Sequence, residues 1–147
     1  MLEADVASHL RKTQQRLNYM LREKVGEYKL TFRLLHILMR IERNPEANQN
    51  EIAKELKFTK GSMSGYVSRL MELGMLEKSA STKDQRCNRL VLTIYGKSIL
   101  EDYEEEVHLR YKDIFIGFSP EELASFDASL TKINRNLEKL ELEEGKS

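Results

Sequence analysis

At 147 residues, 40% hydrophobic and 33% charged, with only seven Gly and two Pro, the chain fits one helical globular domain and leaves no room for long disorder. Its formal net charge is zero, but residues 54–97 hold nine Lys and Arg against four Asp and Glu, while residues 98–147 hold six against thirteen. A basic middle on an acidic remainder suits a phosphate-bearing partner without general stickiness.

The first predicted element is a helix over about residues 4–26, where Val6, Leu10, Leu17, Leu21 and Val25 recur at near-helical spacing. Thr31 caps a second helix, Phe32 to Arg43, which Asn44-Pro45 ends. Asn48 with Glu51 has capping-box spacing and starts a third. Thr59 opens a fourth, Lys60 to Leu73, after the tight Lys57-Phe58 turn, and Gly74 sits where a left-handed cap belongs. Met75 to Ser79 and Arg89 to Thr93 then read as a β-hairpin around the polar stretch Ala80 to Arg86. Thr93 precedes a helix to about Gly117, and Ser119-Pro120-Glu121-Glu122 combines cap, first-turn proline and box for the last one. The order predicts a single domain, 1–147, that is mainly α with a small β-hairpin wing (α+β), residues 29–97 forming a winged helix-turn-helix.

On the fourth helix Met63, Val67 and Leu70 share one face and are expected inside. The opposite face carries Gly61, Ser64, Gly65, Ser68 and Arg69, with Ser62 at its edge and Lys60 in the first turn; no acid occurs before Glu72. A glycine inside a helix costs about 1 kcal/mol relative to alanine, so two on an outer face point to close approach of a DNA backbone or groove edge. Short serines can donate to phosphate or base edges, and Arg69 can fork onto guanine or phosphate. In the hairpin, Lys83, Arg86 and Arg89 surround Asp84, a basic strip suited to an adjacent minor groove.

The last helix has Leu123, Phe126, Leu130, Ile133, Leu137 and Leu140 at alternating spacings of three and four, a narrow apolar seam. Leu100, Tyr103, Val107, Tyr111, Ile114 and Phe118 give the helix before it a similar one. Such seams exceed what a small winged helix can cover, so a homodimer is expected through residues 1–28 and 98–147, with Leu10 and Leu17 contributing from the first helix. A two-fold dimer reads half-sites roughly 34–36 Å apart, hence a pseudo-palindromic operator in double-stranded DNA.

Several segments together resemble the multiple antibiotic resistance regulator (MarR) family of winged-helix transcription factors. They are Gln49-Asn50-Glu51-Ile52-Ala53-Lys54-Glu55-Leu56, the run Leu70 to Leu76, Asp84-Gln85-Arg86 and Leu92-Thr93-Ile94-Tyr95-Gly96, spread over nearly the whole chain. The resemblance implies that Arg86 reaches the minor groove from the wing, that Asp84 braces the wing through a neighbouring arginine, and that the helix from Lys60 reads the major groove. The usual Asp-Pro at the start of the wing is Ser81-Thr82 here, and Gln85 stands where a further arginine is common. Repression is the family's commoner habit, and its members respond to small anionic or phenolic effectors bound between the dimerisation helices and the DNA-binding part. Tyr19, Tyr28, Arg33, His36 and Arg40 lie on elements that could line such a junction, with ordinary packing as the competing reading.

An enzyme is not expected, for there is no Gly-rich phosphate loop, nucleophile motif or paired His-carboxylate cluster, and no cofactor is implied. His9, His36 and His108 are too scattered to suggest a metal. No apolar run approaches the ~18 residues of a membrane span, no signal is visible behind Met1, and the single Cys87 agrees with a reducing compartment, so a cytoplasmic location off the membrane is expected. Two alternatives stand beside the ligand-responsive regulator: a winged-helix module for protein partners, and a redox-responsive regulator using Cys87, whose thiolate the basic neighbours would favour.

Overall fold

The computed structural model describes residues 1–79 and 89–145. Its elements are α1 (Leu2–Glu27), α2 (Phe32–Arg43), α3 (Gln49–Leu56), α4 (Lys60–Glu72), β1 (Leu76–Ser79), β2 (Arg89–Leu92), α5 (Ile94–Ile114) and α6 (Pro120–Glu144). They fall into two compact units, Met1–His108 and Leu109–Ser147.

Helix starts in the first unit follow the expected cap chemistry. The Thr31 hydroxyl accepts from the Leu34 N–H at 3.3 Å and Thr59 from the Ser62 N–H at 3.1 Å. Asn48 and Glu51 close a reciprocal box, at 2.9 Å and 3.3 Å. Between α3 and α4 the chain turns on Lys57, left-handed at φ 60°, and the Phe58 N–H donates to the Ala53 carbonyl at 2.8 Å. A tight helix-turn-helix results.

The core of this unit gathers Leu34, Ile37, Leu38 and Ile41 of α2, Ile52 of α3, and Met63, Val67 and Leu70 of α4. Met75, Leu76, Leu90 and Leu92 close it around the hairpin, and Leu100, Tyr103 and Val107 from α5. The strands pair antiparallel, with Leu76 opposite Leu92 and Ser79 opposite Arg89. At the joint between β2 and α5, the Thr93 hydroxyl donates to the Gly74 carbonyl at 2.6 Å and accepts from the Gly96 N–H at 2.9 Å. Gly96 packs so tightly there that a Cβ would sit 2.2 Å from the Met75 carbonyl oxygen.

In the second unit α5 stops at Ile114, short of the expected Gly117, because the chain already turns over Phe115–Phe118 with Gly117 at φ 88°. The Phe115 and Phe118 rings meet edge to face at 6.0 Å. Ser119 and Glu122 form the capping box of α6, with Pro120 in its first turn. No residue of α6 is buried. Among the described residues no helix is long and apolar enough to cross a membrane.

Candidate nucleic-acid interface

Helix α4 separates its side chains as an amphipathic helix should, at about 100° per residue. Met63, Val67 and Leu70 point into the core, while Lys60, Gly61, Ser62, Ser64, Gly65, Ser68 and Arg69 are exposed. Gly61 and Gly65 occupy the middle of the outward face, with Ser64 and Ser68 to one side and Ser62 and Arg69 to the other. A Cβ at either glycine would meet nothing within 4 Å, so the chain's own packing does not require them. Their effect is a bare helix backbone flanked by hydroxyls. Arg69 lies 3.4 Å from Glu72 of the same helix, an exposed pair too weak to hold the guanidinium back from another acceptor.

Neighbouring elements touch both flanks of α4. On one side the Gln49 amide of α3 donates to the Ser64 hydroxyl at 3.4 Å. On the other the Arg33 guanidinium of α2 donates to the Tyr66 hydroxyl at 3.0 Å, and the Tyr66 ring stands edge-on to Phe58 at 5.3 Å. Periodicity within one helix carries no sign of these links, which join residues far apart in sequence.

Lys83, Asp84, Arg86 and Cys87 lie outside the described residues. Arg89, grouped with them by sequence, turns back onto the body: its Nε donates to the Pro45 carbonyl at 2.9 Å and its guanidinium lies 3.7 Å from Glu46. Arg89 also bridges to Asn48, the cap of α3, so it ties the base of the hairpin to the α2–α3 corner. Its charge is spent there, partly on Glu46.

The five residues named for a ligand separate. His36 and Arg40 line a cavity of about 210 Å³ with Met39, Arg43 and Leu56, residues that sequence spacing did not single out. Arg40 also pairs with Glu55 at 3.1 Å. Arg33 serves Tyr66 instead, and Tyr19 is exposed on α1. Tyr28 donates its hydroxyl to Asp102, fastening the end of α1 to α5; partial burial and that bond push the phenol above its usual range. Beside it Lys24 pairs with Glu27 at 3.0 Å and Glu106 at 3.6 Å.

Of the residues named for a dimer, Leu17, Leu123 and Leu130 are half-buried, while Leu10, Phe126, Ile133, Leu137 and Leu140 are exposed. The α6 seam runs open along the helix. Among the described residues no cluster of His, Cys, Asp and Glu could hold a metal ion.

The sequence model of the MarR family matches residues 28–86, the span from the end of α1 through the helix-turn-helix into the wing. Residues 28–86 are thus similar in sequence to the MarR family. About nine tenths of the chain shares its fold with solved MarR-family proteins. A MarR-family protein from Bacillus stearothermophilus superposes with a TM-score of 0.78 at 20% identity, over 91% of this chain and 94% of that one. MepR, a transcription regulator of the Staphylococcus aureus multidrug efflux pump MepA, gives 0.77 at 21% identity, over 89% and 97%. The S. aureus MepR–DNA complex gives 0.70 at 20% identity, over 89% and 95%. The matched segment holds α2, α3 and α4 complete, and with them every described residue of the outward face.

Proposed function

We propose that this chain is a cytoplasmic, homodimeric transcriptional regulator, not an enzyme, that binds double-stranded DNA in a sequence-specific way. Helix α4 enters the major groove and the hairpin, residues 77–93, lies on the adjacent minor groove. The observation that carries this reading is the outward face of α4, where two glycines of no use to the fold lie between serines and Arg69. A bare backbone can come close to base edges, and the hydroxyls and guanidinium can donate to bases and phosphates. MepR, which shares the fold, has been solved on DNA, and this supports the same use of the helix.

Residues 29–97 then form the DNA-binding part, while residues 1–28 and 98–147 supply the dimer. The open seam of Phe126, Ile133, Leu137 and Leu140 is what a second copy would cover. The protein represses, and a small effector releases it. The cavity at His36, Arg40 and Arg43, with Met39 and Leu56 as apolar wall, suits a small anion with an apolar body.

The test is binding to fragments of the protein's own promoter region across a salt series, with Arg69→Ala and Arg86→Ala alongside. Saturable binding to one fragment that weakens with salt, and weakens further in both variants, is the expected result. A folded dimer that prefers no fragment and loses nothing in either variant would overturn it. For the dimer, Ile133→Glu with Leu137→Glu should raise the dimer dissociation constant at least about a hundredfold in sedimentation equilibrium, because two carboxylates enter an apolar seam.

A further inference from the structure

We propose that Arg33, outside the helix-turn-helix proper, is a DNA-phosphate contact held in place by Tyr66; this rests on the DNA-binding reading of α4. A helix about 10–12 Å across fills a major groove about 12 Å wide, so its flanks face the two sugar-phosphate walls. Gln49 and Ser64 meet on one flank of α4. The other flank carries Ser62, Tyr66 and Arg69, and Arg33 reaches it from α2.

Arg33 has the features a phosphate contact needs. It is exposed, and among the described residues no carboxylate lies within ion-pair distance of it, whereas Arg40, Arg69 and Arg89 each have one. Among the described residues one donation, to Tyr66 at 3.0 Å, uses the five N–H groups of its guanidinium. Tyr66 is itself fixed, with its ring against Phe58 at the helix-turn-helix corner. The guanidinium is therefore pre-positioned beside α4 with donors to spare. Arg69 lies on the same flank, with Glu72 at 3.4 Å, and Arg33 adds a second guanidinium towards that wall.

The experiment compares parent, Arg33→Ala, Arg33→Lys, Tyr66→Phe and Arg22→Ala on a duplex of about 30 base pairs of arbitrary sequence, long enough for two half-sites, across a salt series. Each phosphate contact contributes about 0.9 to the slope of log affinity against log salt, and a dimer carries two copies of Arg33, so removing both should flatten the slope by about 1.8 and weaken binding at least roughly tenfold, whatever the sequence. Arg33→Ala should show both effects. Arg33→Lys should keep the slope while losing affinity, since one ammonium cannot serve Tyr66 and a phosphate together. Tyr66→Phe should lower affinity with the slope unchanged, because the anchor goes and the charge stays. Arg22→Ala, a charge removed from the exposed face of α1, should leave the slope alone, which separates contact from general field. An Arg33→Ala protein that binds with the parental slope would overturn the phosphate contact while leaving the DNA-binding reading standing. A parent that binds no duplex at any salt would sink both.

Discussion

At the joint between β2 and α5, a Cβ on Gly96 would lie 2.2 Å from the Met75 carbonyl oxygen; on the outward face of α4, a Cβ on Gly61 or Gly65 would meet nothing within 4 Å. The same residue type is demanded by the fold in one region and tolerated against helix propensity in the other. Only the surroundings of the missing Cβ separate the two cases. At the joint, glycine lets a helix start directly beneath the last core residue before the hairpin, and Thr93 bonds to both sides of it. On α4 no neighbouring atom calls for glycine, which accords with the proposed close approach of DNA.

The largest effect should come from the joint. Gly96→Ala forces a methyl against backbone, which cannot swing aside as a side chain can, and should cost about 2–3 kcal/mol in urea unfolding, close to the roughly 3 kcal/mol expected for emptying the core with Leu70→Ala. A parental midpoint for Gly96→Ala would break the comparison, because the joint would then be as permissive as α4. The opposite sign is expected on α4. Gly61→Ala with Gly65→Ala should stabilise the free protein by about 1–2 kcal/mol through helix propensity alone, yet weaken DNA binding in the same preparation. Greater stability with undiminished DNA affinity would show that close approach to DNA is not why the glycines are there.

A smaller effect tests how α4 is presented. Asn48 caps α3 and bridges to Arg89 at the foot of the hairpin, so Asn48→Ala should cost about 1 kcal/mol, with Asn48→Asp recovering most of it because the cap acceptor returns. Equal losses from both substitutions would assign the effect to the side-chain amide rather than to the cap.

What could be read in the sequence was local. Thr31, Asn48 with Glu51, Thr59, and Ser119 with Glu122 announce helix starts because donor and acceptor lie three residues apart, and all four make the expected bonds. The inward face of α4 was legible for the same reason, since 3.6-residue periodicity is a property of one segment. Arg33 on Tyr66, Gln49 on Ser64 and Arg89 on Pro45 were not, because each joins elements whose mutual placement depends on the whole core. Arg89 shows the hazard directly: a basic residue in a basic run was grouped with DNA contacts, and its partner 44 residues away turned it into a structural tie. Gly96 stood out only as part of a motif, with no sign of the carbonyl above it.

The smallest effect sharpens the comparison through pH. Helix α5, which begins at the Gly96 joint, also carries Glu101 and Glu104 opposite Glu42 of α2. Partial burial first, and then Glu104 and Glu101, push the Glu42 carboxyl above its usual range. A folded-state pKa above the unfolded one means that ionising Glu42 opposes folding. That penalty is complete above the folded pKa and is relieved as pH falls through it towards the unfolded value. Glu42→Gln should therefore raise stability by a few tenths of a kcal/mol at about pH 7.5, since the group is largely solvated, and the gain should shrink as pH falls to about 4, where the carboxyl protonates in both states. The gain from Gly65→Ala has no titrating group behind it and should be the same at both. If the Glu42→Gln gain were equally flat, its source would be propensity or packing, and the acidic contact between α2 and α5 would have no part in holding the helix that starts at Gly96.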